Sequence, residues 1–340
     1  MKNSVCILGG TCTEKYLYLI YTGNRILQVE KGSGIVTDII ELEKAKNHLW
    51  EYFYIFCQNE KILLFPFHGD KLTICENGDV FYHDLGYGED IQIVAATLAQ
   101  NEFVMLSQKT ESFLSFNMES HTVNEIKIEH GFCDSPTIDK MNAIFWIIDR
   151  KGQVIENDQG NIKLLYQGDQ YLKKYHRDYT GEYFIYLNGE VWKRSGNERN
   201  RLAIIPDVSR ADIRCYSMDG VLYIVYLDRN LIYIISEKQS IRLTEDDCQY
   251  WANEDGVVII PIIIPDQYHE GLYLYTNYQH KIIYINLQGV IIEKLVYVRK
   301  QKLDMFMREV ESDDLQSYYE ACGYSKSLRG CTLADWLTKI

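Results

Sequence analysis

Residues 219–233, DGVLYIVYLDRNLIY, place a tight polar turn before each of two short apolar runs. The Asp219-Gly220 pair is typical of a two-residue hairpin turn, because glycine readily adopts the positive φ that such a turn requires. The runs at 222–226 and 231–233 are rich in β-branched and aromatic residues, and they are too short for buried helices. The stretch therefore predicts consecutive antiparallel strands that are joined by hairpins.

The same pattern recurs along most of the chain. Successive runs begin 45, 41, 40, 40, 39 and 36 residues apart, at Leu17, Ile62, Phe103, Ala143, Tyr183, Leu222 and Val258. A repeat of about 40–45 residues is typical of a four-stranded propeller blade. No sustained helical period interrupts the strands before about residue 287, which excludes a βαβ sheet. We therefore predict an all-β protein, a β-propeller of seven blades with four antiparallel strands each, over residues 1–296.

The end of the repeat admits two interpretations. In the first, Val258 begins the second strand of the seventh unit, and residues 290–296 are a surplus strand that joins the ends of the propeller by pairing with the first or last blade. In the second, residues 272–275, 282–285 and 290–295 are the last three strands of the final blade, and 246–264 are an insertion. Six blades then become possible, but we favour seven.

Two of the predicted strands carry a proline between apolar residues, LFPF at 64–67 and IIPI at 259–262. In these strands the chain is similar to uncharacterised bacterial propellers, and in architecture it resembles the kelch and WD-repeat superfamily. The units lack the Gly-His and Trp-Asp pairs of WD repeats and the repeated Gly-Gly of kelch repeats. The resemblance implies a fold and carries no activity with it.

Composition narrows the possible partners and the compartment. The net charge is −13 and no basic stripe is present, which argues against nucleic-acid binding. No window reaches the ~18 apolar residues of a membrane span. The nine cysteines form no Cys-x-x-Cys pair, so we expect reduced thiols rather than a zinc site or a disulfide framework. We expect a cytoplasmic monomer that has no metal and no cofactor.

The last segment, 297–340, has a different pattern. Residues 302–310 and 312–322 contain neither glycine nor proline, and Thr332 followed by Asp335 is a variant of a capping box. An apolar stripe of helical spacing follows, formed by Leu333, Trp336, Leu337 and Ile340. We predict a helical tail whose stripe either packs on the propeller or docks into another protein.

Candidate ligand-binding residues lie in the predicted loops. Loops from a fourth strand to the next first strand, and loops from second to third strands, should share one face of the propeller. The second-to-third-strand loops contribute His68 and His269. The fourth-to-first-strand loops contribute His48, Glu89, His130, Asp169, Arg210, Asp247, Tyr250 and Trp251. Aromatic rings beside a carboxylate, as at 247–251, suit a sugar or a cation. Loop residues are commonly polar for reasons of solvation, so solvated loops are the competing interpretation.

No catalytic arrangement can be recognised from spacing. Gly9-Gly10 superficially resembles a nucleotide-binding turn, but it lacks the third glycine and the following helix. The leading hypothesis is a non-catalytic propeller that engages a protein or carbohydrate partner through its loop face. The alternative is a hydrolase or lyase that acts on a carbohydrate or a small ester at the central mouth. Convergent histidines and carboxylates with shifted pKa values would favour the enzyme.

Overall fold

The computed structural model describes 21 ranges of the chain: 7–21, 25–42, 54–58, 61–65, 71–76, 79–86, 91–99, 102–129, 131–132, 138–141, 144–158, 161–167, 171–229, 231–244, 246–247, 253–254, 257–258, 262–276, 281–295, 297–298 and 331–332. Every regular element in these ranges is a β-strand. The described residues accordingly include no helix long and apolar enough to cross a membrane.

The first four blades are antiparallel sheets of consecutive strands. Blade 1 contains β1 (Ile7–Cys12), β2 (Tyr16–Tyr21), β3 (Arg25–Glu30) and β4 (Ile35–Glu41). Blade 2 contains β5 (Tyr54–Gln58), β6 (Lys61–Phe65), β7 (Lys71–Glu76) and β8 (Asp79–Asp84). Blade 3 contains β9 (Ile93–Ala99), β10 (Glu102–Ser107), β11 (Ser112–Asn117) and β12 (Val123–Lys127). Blade 4 contains β13 (Asp139–Met141), β14 (Ile144–Ile148), β15 (Val154–Asp158) and β16 (Asn161–Tyr166).

Three further blades follow with the same topology. Blade 5 contains β17 (Leu172–Asp178), β18 (Gly181–Tyr186), β19 (Glu190–Ser195) and β20 (Glu198–Ile204). Blade 6 contains β21 (Ile213–Met218), β22 (Val221–Tyr226), β23 (Leu231–Ile235) and β24 (Ser240–Leu243). After a hairpin of β25 (Asn253–Glu254) and β26 (Val257–Val258), blade 7 contains β27 (Ile262–Asp266), β28 (Gly271–Thr276), β29 (Lys281–Asn286) and β30 (Ile291–Leu295). The fold is a seven-bladed β-propeller, as predicted.

Burial explains why the second and third strands dominate the sequence pattern. In blade 6, all of β23 and five of the six residues of β22 are buried. The fourth strands are far more exposed, and in β16 the first four residues are exposed. A strand that is covered on both faces requires apolar residues at every position rather than at alternate ones. The continuous apolar runs are therefore the middle strands of the blades.

The expectation that Val258 begins the second strand of the seventh blade is wrong. Val258 belongs to β26, which pairs with β25 outside the blades. The second strand of the blade is β28, and residues 291–295 are its fourth strand rather than a surplus one. The second interpretation of these strands was therefore correct, although the blade count remains seven. A short hairpin and the start of a blade carry the same local turn signal, which is why the sequence did not separate them.

A short strand after the seventh blade joins the first blade. β31 (Tyr297–Val298) pairs in parallel with β4, with Tyr297 opposite Ile35 and Val298 opposite Val36. β32 (Cys331–Thr332) then pairs antiparallel with β31, which extends the first sheet to six strands. The joining role that the sequence suggested for 290–296 thus belongs to the two residues at 297–298. The other residues of the predicted helices, including Leu333, Trp336, Leu337 and Ile340, lie outside the described residues.

The chain divides into two compact units, 1–64 with 74–81 and 245–340, and 65–73 with 82–244. In the second unit, apolar clusters fill the spaces between neighbouring blades.

The cluster between blades 4 and 5 consists of Trp146, Val154, Leu172, Tyr175, Phe184 and Tyr186. Tyr175, Tyr183, Tyr223 and Tyr226 are among the largest fully buried side chains. Many of the 27 tyrosines therefore serve as packing groups in the blades.

Candidate functional site

A pocket of about 420 Å³ opens where blades 4 and 5 meet. It continues the apolar cluster between these blades, beyond the partly buried Tyr166 and Trp192. The lining combines four aromatic rings with an amide, a carboxylate and a guanidinium: Tyr166, Tyr171, Tyr186, Trp192, Asn188, Glu190 and Arg199. This volume falls within the range of small-molecule sites, and so does the mixture of ring faces with a few polar groups.

A tight turn between β18 and β19 forms one wall of the pocket. Gly189 has a φ of +86°, and its amide donates to the Tyr186 carbonyl at 2.9 Å. The Asn188 side chain accepts a hydrogen bond from the Glu190 amide at 3.0 Å. A Cβ at position 189 would meet the carbonyl group of Ile205, whose amide donates to the Gly189 carbonyl at 2.9 Å. Glycine at this position therefore allows the turn to pack closely against the end of blade 5.

Aromatic side chains form the floor and one rim of the pocket. The hydroxyl groups of Tyr166 and Tyr186 lie 3.2 Å apart, which joins the last strand of blade 4 to the second strand of blade 5. Tyr166 also packs against Phe184, with ring centroids 5.1 Å apart. Tyr171 is 58% exposed and precedes β17. The floor is thus fixed by packing, while one ring at the rim is available to solvent.

The Arg199 guanidinium lies over the aromatic rings of the pocket wall. Its guanidinium carbon is 4.9 Å from the centroid of Trp192, and 5.7 Å from those of Phe184 and Tyr186. One guanidinium nitrogen donates to the Tyr186 hydroxyl at 2.7 Å. Cation–π contacts of this kind hold the arginine in place without neutralising its charge.

Glu190 is held as a carboxylate. It accepts hydrogen bonds from the Trp192 indole at 3.1 Å and from Arg201 at 3.0 Å, on different oxygens. These two donors, the indole first, lower the pKa of Glu190 below its ordinary value. The group therefore acts at neutral pH as a hydrogen-bond acceptor in the pocket wall and not as a proton donor.

A second cluster of polar residues lies between the first and seventh blades. Lys31 donates to Asp266 at 2.7 Å, and the two side chains are only 6% and 0% exposed. His269 contacts the same carboxylate at 3.2 Å, and the Lys31 ammonium lies 5.5 Å from the centroid of Tyr273. Burial raises the pKa of the nearby Cys12 thiol to about 12, with a further contribution from Asp266. Lys31 and Asp266 therefore form an internal ion pair, while the His269 side chain beside them is 51% exposed.

The structure describes three of the predicted candidate residues. Arg210 is exposed in the connection from β20 to β21, where its amide donates to the Asp207 carbonyl at 3.3 Å, and Asp247 is exposed in a turn after β24. His269 follows the first strand of its blade, so its assignment to a second-to-third-strand loop is wrong. In an antiparallel sheet, a turn between the first and second strands lies at one end of the strands, and a turn between the second and third strands lies at the other end. The remaining candidates lie outside the described residues: His48, His68, Glu89, His130, Asp169, Tyr250 and Trp251.

The sequence reasoning missed the residues that line the pocket, and the nearest candidate along the chain was Asp169, two positions before Tyr171. A signal was present, since Phe184, Tyr186 and Trp192 alternate with buried aliphatic residues in two strands joined by Asn188-Gly189. Large aromatic residues on one face of a blade, next to arginines in its outer strand, would have indicated this surface. Within the described ranges, no three His, Cys, Asp or Glu side chains come together in a way that could hold a metal ion.

Comparison with known proteins places the chain in the class of β-propellers. No family model and no curated protein sequence matches it. A streptogramin B lyase is similar in structure, with a TM-score of 0.59 and 10% identity over 82% of this chain and 93% of that one. Virginiamycin B lyase from Staphylococcus aureus has a TM-score of 0.53 and 12% identity, over 75% and 87% of the two chains.

Proteins of other kinds have a similar fold. PorZ of Porphyromonas gingivalis, a bacterial surface component of the type-IX secretion system, has a TM-score of 0.57 and 11% identity, over 85% of this chain and 38% of that one. The N-terminal domain of Nup159 has a TM-score of 0.53 and 8% identity, over 80% and 87%. At this level of identity the similarity shows the fold alone, because one fold supports many functions.

Proposed function

We propose that this protein is a non-catalytic binding propeller and that it binds a saccharide in the pocket between blades 4 and 5. One observation carries the proposal: aromatic rings and fixed polar groups share a single concave surface. The C–H faces of a sugar ring pack on aromatic faces, while its hydroxyl groups need planar acceptors and donors. Tyr171 supplies an exposed ring, Trp192 carries the Arg199 guanidinium, and Glu190 and Asn188 supply further polar groups.

The proposal favours a saccharide over a protein partner because of the shape of this surface. A protein interface of standard size buries about 800 Å² on each partner, and its centre is depleted of charged residues. The pocket is instead small and concave, and charged side chains line it. These features suit a compact polar ligand.

Isothermal titration against a panel of neutral and acidic oligosaccharides tests this proposal. We expect Tyr171→Ala to weaken binding about tenfold, because one stacked ring at an exposed rim contributes roughly 1 kcal/mol or more. Tyr179→Ala is the matched control. Tyr179 is an exposed tyrosine in the turn between β17 and β18 of the same blade, and it does not line the pocket. Absence of binding across the whole panel would overturn the proposal.

The same incubations test the enzyme alternative. A binding propeller returns every oligosaccharide unchanged, as chromatography after prolonged incubation would reveal. Cleavage products that depend on Glu190 would instead favour a hydrolase or a lyase. Glu190→Gln is the variant to compare, because it keeps the shape of the side chain and removes its charge.

A further inference from the structure

We infer that the ligand of this pocket is an acidic saccharide whose carboxylate is bound by Arg199; this inference rests on the proposed function. Three arginines extend from the outer half of blade 5, and two of them already have a carboxylate partner. Arg194 pairs with Glu182 at 2.6 Å, and Arg201 pairs with Glu190 at 3.0 Å. Among the described residues, Arg199 has no such partner.

The contacts of Arg199 leave its hydrogen-bonding capacity largely unused. A guanidinium carries five N–H donors, and the structure assigns one hydrogen bond to this group, to the Tyr186 hydroxyl. The other contacts of the guanidinium are with the aromatic rings, and these contacts use none of its N–H donors as hydrogen bonds to protein oxygens. Among the described residues, the remaining N–H donors therefore have no acceptor, and two parallel ones can bind a carboxylate.

Local charge also favours an anionic ligand, although the whole chain has a net charge of −13. Glu190 and Arg199 are the charged groups of the pocket lining, and the charge of Glu190 is balanced by Arg201. Among the described residues, the positive charge of Arg199 against the aromatic wall therefore has no counter-charge. An uncharged sugar would leave this charge unpaired when it displaced the surrounding water.

The parts of the pocket fit one arrangement of a uronic acid. The sugar ring packs on the exposed ring of Tyr171, its hydroxyl groups donate to Glu190, and its carboxylate lies beside Arg199, whose guanidinium covers Trp192. Lysine would not replace Arg199 fully, because an ammonium group lacks the planar pair of donors and stacks less well on the indole.

The test compares three disaccharides by isothermal titration: one of galacturonic acid, the matching one of galactose and a sulfated galactose disaccharide. We expect the wild type to bind the uronic acid 10- to 100-fold more tightly than galactose, roughly the effect of a charge-assisted hydrogen-bond pair. Arg199→Gln should lose this preference, so that the uronic acid and galactose bind the variant with similar affinities. Arg199→Lys should retain part of it.

Arg242→Gln is the matched control. Arg242 is an exposed arginine on the outer strand of blade 6, so its loss changes the net charge equally without altering the pocket. Equal wild-type affinities for the uronic acid and galactose would overturn the inference while the proposed function stands. A preference that survives Arg199→Gln would overturn it too. Tighter binding of the sulfated sugar would contradict the assignment of a carboxylate. Binding of none of the three would overturn this inference, and the proposed function would fall with it only if the wider oligosaccharide panel also failed to bind.

Discussion

At the scale of single residues, the buried pair of Lys31 and Asp266 is the most consequential interaction outside the pocket. It joins the turn after β3 in the first blade to the end of β27 in the seventh. Asp266 also accepts the Tyr268 amide at 3.1 Å, so its carboxylate fixes the turn that follows it. A buried ion pair contributes little over a well-packed apolar pair, but loss of one partner is costly because the other charge remains buried.

We predict that Asp266→Asn lowers the free energy of unfolding by about 3–5 kcal/mol, because the buried Lys31 ammonium would lose the carboxylate to which it donates at 2.7 Å. Urea unfolding followed by tryptophan fluorescence measures this loss. The control is Asp158→Asn, which breaks an exposed pair with Lys163 and should cost less than about 1 kcal/mol. Adding Lys31→Met to Asp266→Asn removes the buried charge and should restore part of the stability. Equal losses for Asp266→Asn and Asp158→Asn would contradict the prediction.

At the scale of elements, the hairpin of β18 and β19 determines the shape of the pocket. Gly189 and Gly196 in blade 5 both have positive φ, +86° and +61°. A Cβ at Gly196 would meet no atom within 4 Å, whereas one at Gly189 would collide with the Ile205 carbonyl group. Alanine at position 196 therefore tests the energetic cost of positive φ alone, whereas alanine at position 189 tests that cost together with the cost of the collision.

We predict that Gly196→Ala costs about 1 kcal/mol, the ordinary penalty of a left-handed residue with a Cβ. Gly189→Ala should cost at least about 2 kcal/mol, because the turn must also move away from Ile205. That movement displaces Asn188 and Glu190, so Gly189→Ala should weaken ligand binding while Gly196→Ala does not. Thermal unfolding and titration measure the two effects. Similar stability for both variants would show that the turn adapts to the added methyl group at no cost.

Local turn chemistry made most of the strands predictable from sequence. Asp219-Gly220 and Asn188-Gly189 each mark a hairpin that the structure contains, because only a few residues tolerate the required backbone angles. The same turn signal gave a wrong prediction at Val258, because it indicates a turn and does not indicate which sheet the two strands belong to.

The pocket was not predicted from the sequence for a related reason. The contact of Arg199 with Trp192 depends on the register of β19 and β20, which shifts at Val191 and Trp192.

At the scale of the whole molecule, the period of about 40 residues was sufficient to predict the propeller. Strands joined by hairpins bury their apolar faces only when the small sheets stack on one another, so the repeat and the fold have a single cause. Candidate sites do not follow from that period. The pocket combines the end of blade 4 with three strands of blade 5, and such pairs of surfaces are set by packing between blades.

The pairing of β31 with β4 gives the last prediction, which concerns how the two ends of the propeller are joined. A chain that ends after Leu295 keeps all seven blades and loses this parallel pairing, so the outer edge of blade 1 is left unprotected. Hydrogen exchange should then accelerate in β4 and remain unchanged in β22 and β23. A chain that ends after Lys300 is the control, because it keeps β31 and lacks β32. If exchange in β4 accelerates equally in both chains, the protection comes from β32 or the segment before it, and β31 alone does not join the ends.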